Sequence, residues 1–422
     1  MKSEEFLKGK RILMTSFSFA SFGGAELNTV ELAEQLVEFG AEPSFFTYDD
    51  DGPLADFIED KFKTKIINDD VNLLAESESE LGYTNLNISD YDYIWVAANI
   101  IPISIIKQIQ TCKKLPKFIF IHMSSLEGFP MDAPLLPELE RNIASAILSI
   151  GQSTTDKTVY RIMEKDALFP IELWPNPAPR AFAEVAKRRG VLKKIAVISS
   201  SHPTNEVIAI KDLMKERGVE VDYIGRFNNN HRIVDGNLYD EYDLIIGIGK
   251  NAKYSLVSGV PIYIYGRFGG NGYITEELLD RLELFNLSGR GGEKKTPIQI
   301  VDEVINGYTR ALSFHETHRK FFIEKFSIER VARRLFEKLE QEEPKTIALS
   351  RGYINWLVSM QINFMQNLKR FGGMRALESR IEYFEAKERE LNLVYESRSW
   401  RLMRPLRWFA GLARRLRSKN KV

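Results

Sequence analysis

Hydrophobic positions along the first half of the chain alternate between short continuous runs and helix-spaced patterns. The run RILMTSF, residues Arg11–Phe17, predicts a buried strand, and a loop that ends in Gly23 and Gly24 follows it. The next segment predicts a helix that stops at Gly40, because its apolar side chains share one helical face. These side chains are Leu32, Ala33, Leu36 and Val37. Together with the following run, AEPSFFTY, this segment forms a βαβ unit.

The same alternation continues and then restarts near the middle of the chain. Further buried strands are predicted at residues 91–98, 117–123 and 144–151. The Pro-rich stretch PIELWPNPAP interrupts the pattern near residue 179, and KIAVISS begins a second series. That series predicts a helix in TNEVIAIKDLMKERG and strands in VEVDYIG, YDLIIGIG and VPIYIYG. Two alternating series of similar size predict an α/β fold in which two Rossmann-like parallel-sheet domains face a cleft.

Helical segments are predicted to follow the two domains. We expect the first domain at residues 1–180 and the second at 193–312, with closing helices at 313–345. A charged helical arm would occupy 346–397. Its part at 376–397 has the pattern of an exposed helix that pairs with itself or with a partner.

Charge is spread unevenly, although the 422 residues sum to a net charge of zero. The tail, residues 398–422, has nine Lys and Arg residues and no acid, so the rest of the chain is net negative. A negative body argues against nucleic-acid binding. On a helical wheel Trp408 and Phe409 fall among apolar residues opposite the arginines, which favours a helix on an anionic membrane surface. A helix docked on the acidic body is the plainer alternative.

The single cysteine and the lack of long apolar segments suggest where the protein works. Cys112 excludes an internal disulfide and indicates a reducing compartment. The N-terminus does not have the apolar core of a secretory signal, and no segment offers the roughly 20 apolar residues of a spanning helix. We therefore expect a cytoplasmic protein, peripheral at the inner face of the plasma membrane.

Candidate chemistry lies after the strands, because ligands of open parallel sheets bind outside the carboxyl ends of the strands. Gly23 and Gly24 open the first helix and suit an anion such as phosphate, although a tight turn is the plainer explanation. Gly247, Gly249 and Lys250 follow a later strand. A lysine at that point suits a diphosphate, and the alternative is a solvated helix start.

Single side chains at strand ends add further candidates. His122 could contact a substrate hydroxyl or move a proton, whereas a hydrogen-bonded structural histidine is the alternative. Arg226 and Arg267 could neutralise phosphates or simply be solvated. The run Asp49–Asp51 could hold a divalent metal, but the proline that follows favours a solvated turn. The sequence has no zinc-site spacing, Walker loop, GxSxG elbow or full dinucleotide fingerprint.

Over about residues 10–340 these stretches resemble the retaining glycosyltransferases of the GT-B fold. FGGAELNTVELAEQLVEFGAEPSFFT is similar to the opening of that family, and WPNPAP is similar to the end of its first domain. IGIGKNAKYSLVSGVPI lies along the family's donor-site motif, with Gly247 and Gly249 on two of its glycines. The two glutamates of the motif fall on Ile246 and Tyr254, and SSSHPTNE replaces the usual Arg–Lys phosphate clamp.

A subgroup of this family that makes bacterial surface polysaccharides, including rhamnose-rich ones, is the nearest in pattern. GGNGYIT at Gly269–Thr275 and SRSWRLMRPLRW at Ser397–Trp408 resemble that subgroup. The resemblance implies transfer of a hexosyl or rhamnosyl-type sugar, with retention, from a nucleotide-diphosphate donor. It also implies a polysaccharide or lipid-linked acceptor bound by the first domain and a donor bound by the second.

The resemblance and the strand-end positions together define the expected site. We expect His122 and Lys250 to be catalytic, with no metal and no cofactor beyond the nucleotide sugar itself. The residues expected to bind that donor are Gly23, Gly24, Arg226, Gly247, Gly249, Lys250, Tyr254, Arg267, Gly269 and Gly270. The missing glutamates leave two alternatives open: a non-catalytic glycosyltransferase-like subunit that supports an active partner, and a module that binds nucleotide sugars without transfer.

Overall fold

Two β-sheets, each covered by helices, organise the chain and confirm the predicted α/β fold with two Rossmann-like domains. The structure is a computed structural model. It describes residues 5–69, 82–124, 137–162, 171–186, 190–199, 202–225, 232–343, 345, 349–363 and 366.

The first sheet has seven parallel strands in the order β3-β2-β1-β4-β5-β6-β7. Its strands are β1 (Arg11–Thr15), β2 (Glu42–Thr47), β3 (Ile67–Asn68), β4 (Tyr93–Ala97), β5 (Lys117–His122), β6 (Ala144–Ser149) and β7 (Ile171–Leu173). Its helices are α1 (Gly24–Glu38), α2 (Pro53–Phe62), α3 (Ile103–Ile109), α4 (Pro137–Ile143) and α5 (Gln152–Ile162). All five residues of β4 are buried, as expected for a strand that is covered on both faces. In this register Met14 of β1 lies between Phe45 and Trp95.

The second sheet has five strands in the order β12-β11-β10-β8-β9. Its strands are β8 (Lys194–Ile198), β9 (Glu220–Ile224), β10 (Leu244–Gly247), β11 (Ile262–Gly266) and β12 (Gly269–Tyr273). Its helices are α6 (Arg180–Ala183), α7 (Asn205–Glu216), α8 (Gly236–Glu241), α9 (Lys250–Ser258), α10 (Glu276–Leu284) and α11 (Pro297–Phe326). Only the edge strand β12 runs antiparallel, because a tight hairpin joins it to β11.

After α11 the chain returns from the second domain to the first through one more helix. Helix α12 (Ile328–Glu340) buries Ala332, Leu335 and Phe336 in the same apolar cluster as Trp95 of the first sheet. Where the chain crosses back, the Ala178 N–H donates to the Phe326 carbonyl at 2.7 Å, and the Ala178 carbonyl accepts from the Ile328 N–H at 3.0 Å. The two crossings between the domains are therefore hydrogen-bonded to each other.

Several details differ from the sequence predictions. Three short strands, β3, β7 and β12, were not predicted, because they have two to five residues and lie at sheet edges where apolar patterning is weak. Val37, predicted on the buried face of α1, is 47% exposed. The expected boundary at residue 312 falls inside α11, which runs unbroken for 30 residues.

The C-terminal part of the chain is only partly covered by the structure. Residues 351–363 form a helix. The predicted pairing segment 376–397 and the basic tail 398–422 lie outside the described residues. Within the described ranges, no helix combines the length and the apolar character needed to cross a membrane.

Candidate functional site

A cavity of about 230 Å³ lies between the two domains, where the strand order of each sheet reverses. The reversal falls between β1 and β4 in the first sheet and between β8 and β10 in the second. Switch points of this kind open a crevice at the carboxyl ends of the strands. The first domain contributes Ser21, Phe22, Gly23, Gly24 and Leu27 to the wall. The second contributes the ends of β8 and β9 and the start of α9, among them Ser199, Gly225, Lys250, Asn251 and Tyr254.

Two helices begin at the wall of this cavity. Helix α1 starts at Gly24, with Gly23 before it in an extended conformation, and α9 starts at Lys250. Gly249 precedes α9 with a φ of 62° and a ψ of −117°, a conformation that a residue with a side chain rarely adopts. The first N–H groups of a helix have no partner within the helix and carry partial positive charge. Both helix starts therefore favour an anion in the cavity.

Lys250, one of the two predicted catalytic residues, lies at the cavity wall and is paired with Glu31 of α1. The Lys250 Nζ atom is 2.6 Å from Glu31 Oε2, and each residue is 8% exposed. The hydroxyl of Tyr254 donates a hydrogen bond to the other carboxylate oxygen of Glu31. Burial raises the pKa of Glu31, and the attraction of Lys250 opposes that rise. This buried triad links a helix of each domain beside the cavity.

Tyr254, which aligns with the second glutamate of the glycosyltransferase motif, is a fully buried aromatic residue. Its ring stacks on Phe182 with centroids 3.9 Å apart and an interplanar angle of 8°. The ring of Tyr239 approaches it edge-on at 6.0 Å. Burial, followed by the nearby charge of Glu31, raises the pKa of Tyr254 well above its ordinary value. Tyr254 therefore presents a neutral hydroxyl donor where the family has a carboxylate.

His122, the other predicted catalytic residue, lies at the end of β5 and contacts α4. Its Nε2 atom is 2.9 Å from Glu140 Oε2, and the two side chains are 2% and 0% exposed. Among the residues that the structure describes, His122 does not belong to the cavity wall. The contact holds α4 against the sheet, as the structural alternative for this histidine requires, and its catalytic role stays a prediction.

The stretch around Arg267 forms the hairpin between β11 and β12 and lies away from the described cavity wall. Arg267 is exposed, with its guanidinium carbon 4.7 Å from the centroid of the Phe268 ring. Gly269 and Gly270 are the first residues of β12, and both are buried. A Cβ atom on Gly270 would lie 1.9 Å from the Ile264 carbonyl oxygen. This glycine therefore permits two backbones to approach closely, and it does not face an open pocket.

The remaining predicted residues are divided between the site and the undescribed part of the chain. Gly247 ends β10, and a Cβ atom there would lie 3.3 Å from the Ile198 carbonyl oxygen at the cavity side of the sheet. Arg226 lies outside the described residues. Of the predicted residues, the cavity wall thus brings together Gly23, Gly24, Lys250 and Tyr254, whereas Gly247 and Gly249 come just before Lys250 in the chain and are not part of the described wall.

Sequence reasoning missed other residues of the site. Glu31 had no local signal, because its hydrogen-bond partner Tyr254 is 223 positions further along the chain. Arg232 also lines the cavity, and its Nη1 atom donates to Glu241 Oε2 at 3.0 Å. Asn251 follows Lys250 directly, so its position at a helix start was the one available hint.

The aspartates at 49–51 belong to a hydrogen-bonded turn. Asp49 accepts a hydrogen bond from Ser18 Oγ at 2.8 Å, and Asp50 accepts one from Asn68 Nδ2 at 2.8 Å. In the part of the chain that the structure covers, no group of three or more His, Cys, Asp or Glu side chains could hold a metal ion.

Comparison with known proteins gives similarity only at the level of solved structures. No family model and no curated protein matches the chain. Among solved structures, the chain is similar to a UDP-N-acetylglucosamine 2-epimerase at 12% identity and a TM-score of 0.42, over 81% of this chain and all of that one. Acinetobacter baumannii MurG gives 11% identity and a TM-score of 0.39, over 85% of this chain and 99% of that one.

A third similar structure is an alpha-glucosyltransferase in complex with UDP and a 13-mer DNA. It is 10% identical with a TM-score of 0.48, over 79% of this chain and all of that one. Similarities of this size assign no activity, so the function must be argued from the site itself.

Proposed function

We propose that the protein is a glycosyltransferase that takes its sugar from a nucleotide-diphosphate donor held in the cavity between the domains. The observation that supports this proposal is the meeting of two sheet switch points and two helix N-termini at one cavity, with Lys250 at its wall. Backbone N–H groups at helix starts, together with a cationic side chain, are suited to a diphosphate. The acceptor is proposed to enter the same cleft from the side of the first domain.

In the proposed reaction the bond between the sugar and the diphosphate breaks, and negative charge develops on the departing phosphate. The N-termini of α1 and α9 and the ammonium group of Lys250 stabilise that charge. The departing phosphate accepts the proton of the acceptor hydroxyl, so retention requires no protein nucleophile. Arg226 and Arg267 are proposed to add positive charge, and a metal ion is not required.

The proposed acceptor is a polysaccharide or a lipid-linked glycan at the inner membrane surface, and the sugar is of the hexosyl or rhamnosyl type. The basic tail at 398–422 would hold the enzyme at anionic lipid. A chain without 398–422 should stop pelleting with phosphatidylglycerol vesicles at low salt while it binds nucleotide unchanged. Full-length protein that does not pellet with these vesicles would contradict the membrane proposal. Segment 376–397 is the proposed site of self-pairing or partner pairing.

The decisive experiment for the enzyme proposal is calorimetry with a panel of nucleoside diphosphates (UDP, dTDP, GDP, ADP and CDP) and their sugar conjugates, followed by transfer assays with the conjugates that bind. We expect one nucleotide per chain at micromolar affinity, typical of such sites, and transfer to a lipid-linked glycan. A well-folded protein that binds none of these compounds would contradict the proposal. If the protein binds a nucleotide sugar but forms no product with any glycan acceptor, the alternative of a module that binds nucleotide sugars without transfer would replace the enzyme proposal.

A second candidate function is that of a non-catalytic subunit with a glycosyltransferase-like fold. It is favoured by the residues at the two glutamate positions, because Ile246 is buried within β10 and Tyr254 is neutral. The pairing of Lys250 with Glu31 also favours it, since the cation is already neutralised. Copurification with an active transferase whose rate rises on addition of this chain, in the absence of nucleotide binding, would support this second candidate.

A further inference from the structure

A charged pair buried between two domains needs an explanation. Removing a carboxylate and an ammonium group from water can cost more free energy than their mutual attraction returns. Glu31 and Lys250 are such a pair, with each residue 8% exposed and the Oε2 to Nζ distance 2.6 Å. The carboxylate belongs to α1 of the first domain and the ammonium group to α9 of the second. Lys250 also borders the cavity. The ammonium group that a bound anion would need is therefore already occupied by a carboxylate of the protein.

The charged and titratable groups around Glu31 come from both helices. Lys250 and Tyr254 face it from α9. Glu34 lies one turn further along α1 and is itself paired with Lys61 of α2 at 3.2 Å. Burial raises the pKa of Glu31, Lys250 and Tyr254 lower it, and Glu34 raises it slightly further. Glu31 is thus more easily protonated than an exposed glutamate, although it is held as a carboxylate by its two partners.

We propose that Glu31 is a built-in counter-ion for Lys250, and that a diphosphate enters the cavity together with a proton that neutralises Glu31. This inference rests on the proposed function, since it concerns how the same cavity accepts its anionic ligand. Glu31 is a positioning residue: it acts through Lys250 and is not assigned a contact with the reacting atoms. No bond in the donor breaks at this step, and the proton comes from solvent.

The physical reason is competition between two anions for one cation in a dry site. A diphosphate near Lys250 places further negative charge beside Glu31, and like charges at low local dielectric repel strongly. Protonation of Glu31 removes the repulsion and releases the full charge of Lys250 to the ligand. The hydroxyl of Tyr254 can still donate to the carbonyl oxygen of the protonated acid, so the side chain keeps one hydrogen bond. Binding should therefore tighten as the pH falls toward the pKa of Glu31.

The test is calorimetric titration of the full-length protein with UDP at pH 7.5, in two buffers of different ionisation enthalpy. The wild type should take up between zero and one proton per UDP, and the uptake should grow as the pH is lowered. Glu31→Gln keeps the size of the side chain and its acceptor oxygen but removes the charge, so this variant should bind UDP about 5- to 50-fold more tightly. The proton uptake that Glu31 contributes in the wild type should be absent from the variant. Subtraction of the variant from the wild type also removes the ionisation of UDP itself.

Two further variants keep the test decisive. Glu34→Gln neutralises the adjacent carboxylate of α1 and should bind UDP within about twofold of the wild type, because Lys61 already compensates that charge. Tyr254→Phe keeps the ring that stacks on Phe182 and removes one partner of Glu31, so it should tighten binding in the same direction but less than Glu31→Gln does. It replaces Glu31→Gln as the test variant if that protein does not fold.

The outcomes separate this inference from the proposed function. If the wild type takes up no more protons per UDP than Glu31→Gln does, or if Glu31→Gln binds UDP equally or more weakly, Glu31 is only a structural ion-pair partner and the inference is overturned while the proposed function stands. If neither protein binds any nucleoside diphosphate of the panel, the proposed function and the inference both fail; if another member binds and UDP does not, that member replaces UDP in the titrations.

Discussion

Two stretches of the second domain both contain glycines but use them in different ways. In the first stretch, residues 247–254, Gly249 turns the chain into α9, whose first residue, Lys250, lines the cavity. In the second stretch, residues 264–273, Gly270 lies directly against the carbonyl group of Ile264, with no room for a side chain. One stretch uses glycine to turn the chain into a helix that begins at the cavity wall, and the other uses it to let two strands approach closely.

The two buried lysines of α9 also differ from each other, one lying on the cavity side of the helix and the other on its core side. Lys250 faces the first domain and is neutralised by Glu31 at 2.6 Å. Lys253, less than one turn away, faces the core of its own domain, with Nζ 4.1 Å from the centroid of the Phe326 ring. Burial lowers the pKa of Lys253 to about 8. The lysine on the cavity side of α9 is thus matched by a carboxylate, whereas burial makes the charge of the lysine on the core side easier to lose.

The largest effect on stability should come from a side chain added at Gly270, in the second stretch. Gly270→Ala would bring a Cβ atom to 1.9 Å from a backbone oxygen, so we expect a loss of about 3 kcal/mol or more of unfolding free energy. Gly24→Ala is the matched control, since no atom lies within 4 Å of its Cβ position, and it should change stability by less than about 0.5 kcal/mol. Urea unfolding measures both. Equal midpoints for the two variants would show that the hairpin is not closed as described.

Removal of the cation on the cavity side should act on binding and on stability. Lys250→Met takes away the charge proposed to face the diphosphate, and transfer should fall by about 10- to 1000-fold. It also leaves Glu31 buried without its cation, which costs about 3 kcal/mol of stability at neutral pH. Initial rates and urea unfolding check the two parts. Unchanged transfer by the folded variant would remove Lys250 from the site.

The lysine on the core side should respond in the opposite direction and depend on pH. The pKa of Lys253 is lowered to about 8 in the folded chain, against about 10.4 in the unfolded chain. Above the unfolded value the side chain is neutral in both states and its burial carries no charge penalty. That stability is lost as the pH falls from the unfolded value through about 8, because the lysine must then be buried with its charge. Lys253→Met should therefore stabilise the protein by about 1–3 kcal/mol at pH 7, with the gain shrinking toward pH 10. Thermal unfolding across that range tests this, and a gain that does not vary with pH would be evidence against a depressed pKa. UDP binding should stay within about twofold of the wild type.

The smallest effect is expected at the hairpin arginine. Arg267 is exposed and lies away from the described cavity wall, so Arg267→Ala should weaken UDP binding by about 2- to 5-fold at low salt, and by less at high salt. A larger loss, comparable with that of Lys250→Met, would bring the hairpin into the donor site and erase the contrast between the two stretches.

The sequence was most informative where burial acts on many neighbouring residues. The apolar runs at 11–17, 91–98 and 117–123 predicted β1, β4 and β5, because central parallel strands are covered on both faces and must be apolar throughout. The edge strands β3 and β12 have no such constraint, and by sequence alone the glycines of β12 indicate a ligand-binding loop. The pattern of a strand edge alone does not distinguish a hairpin partner from a binding loop.

Some residues of the site are placed by the local sequence pattern, and others only by contacts between distant parts of the chain. The positions of Gly23, Gly24, Gly249 and Lys250 followed from the sequence, since a strand, a glycine turn and a helix start lie within a few residues of each other. The role of Glu31 could not be predicted from the sequence, because its partners Lys250 and Tyr254 lie on α9 of the other domain and reach it only in the folded chain. The sequence by itself determined the two series of strands and helices, for which local apolar spacing is sufficient. Tertiary structure alone decided that Glu31, Lys250 and Tyr254 are buried together, because these contacts join residues more than 200 positions apart.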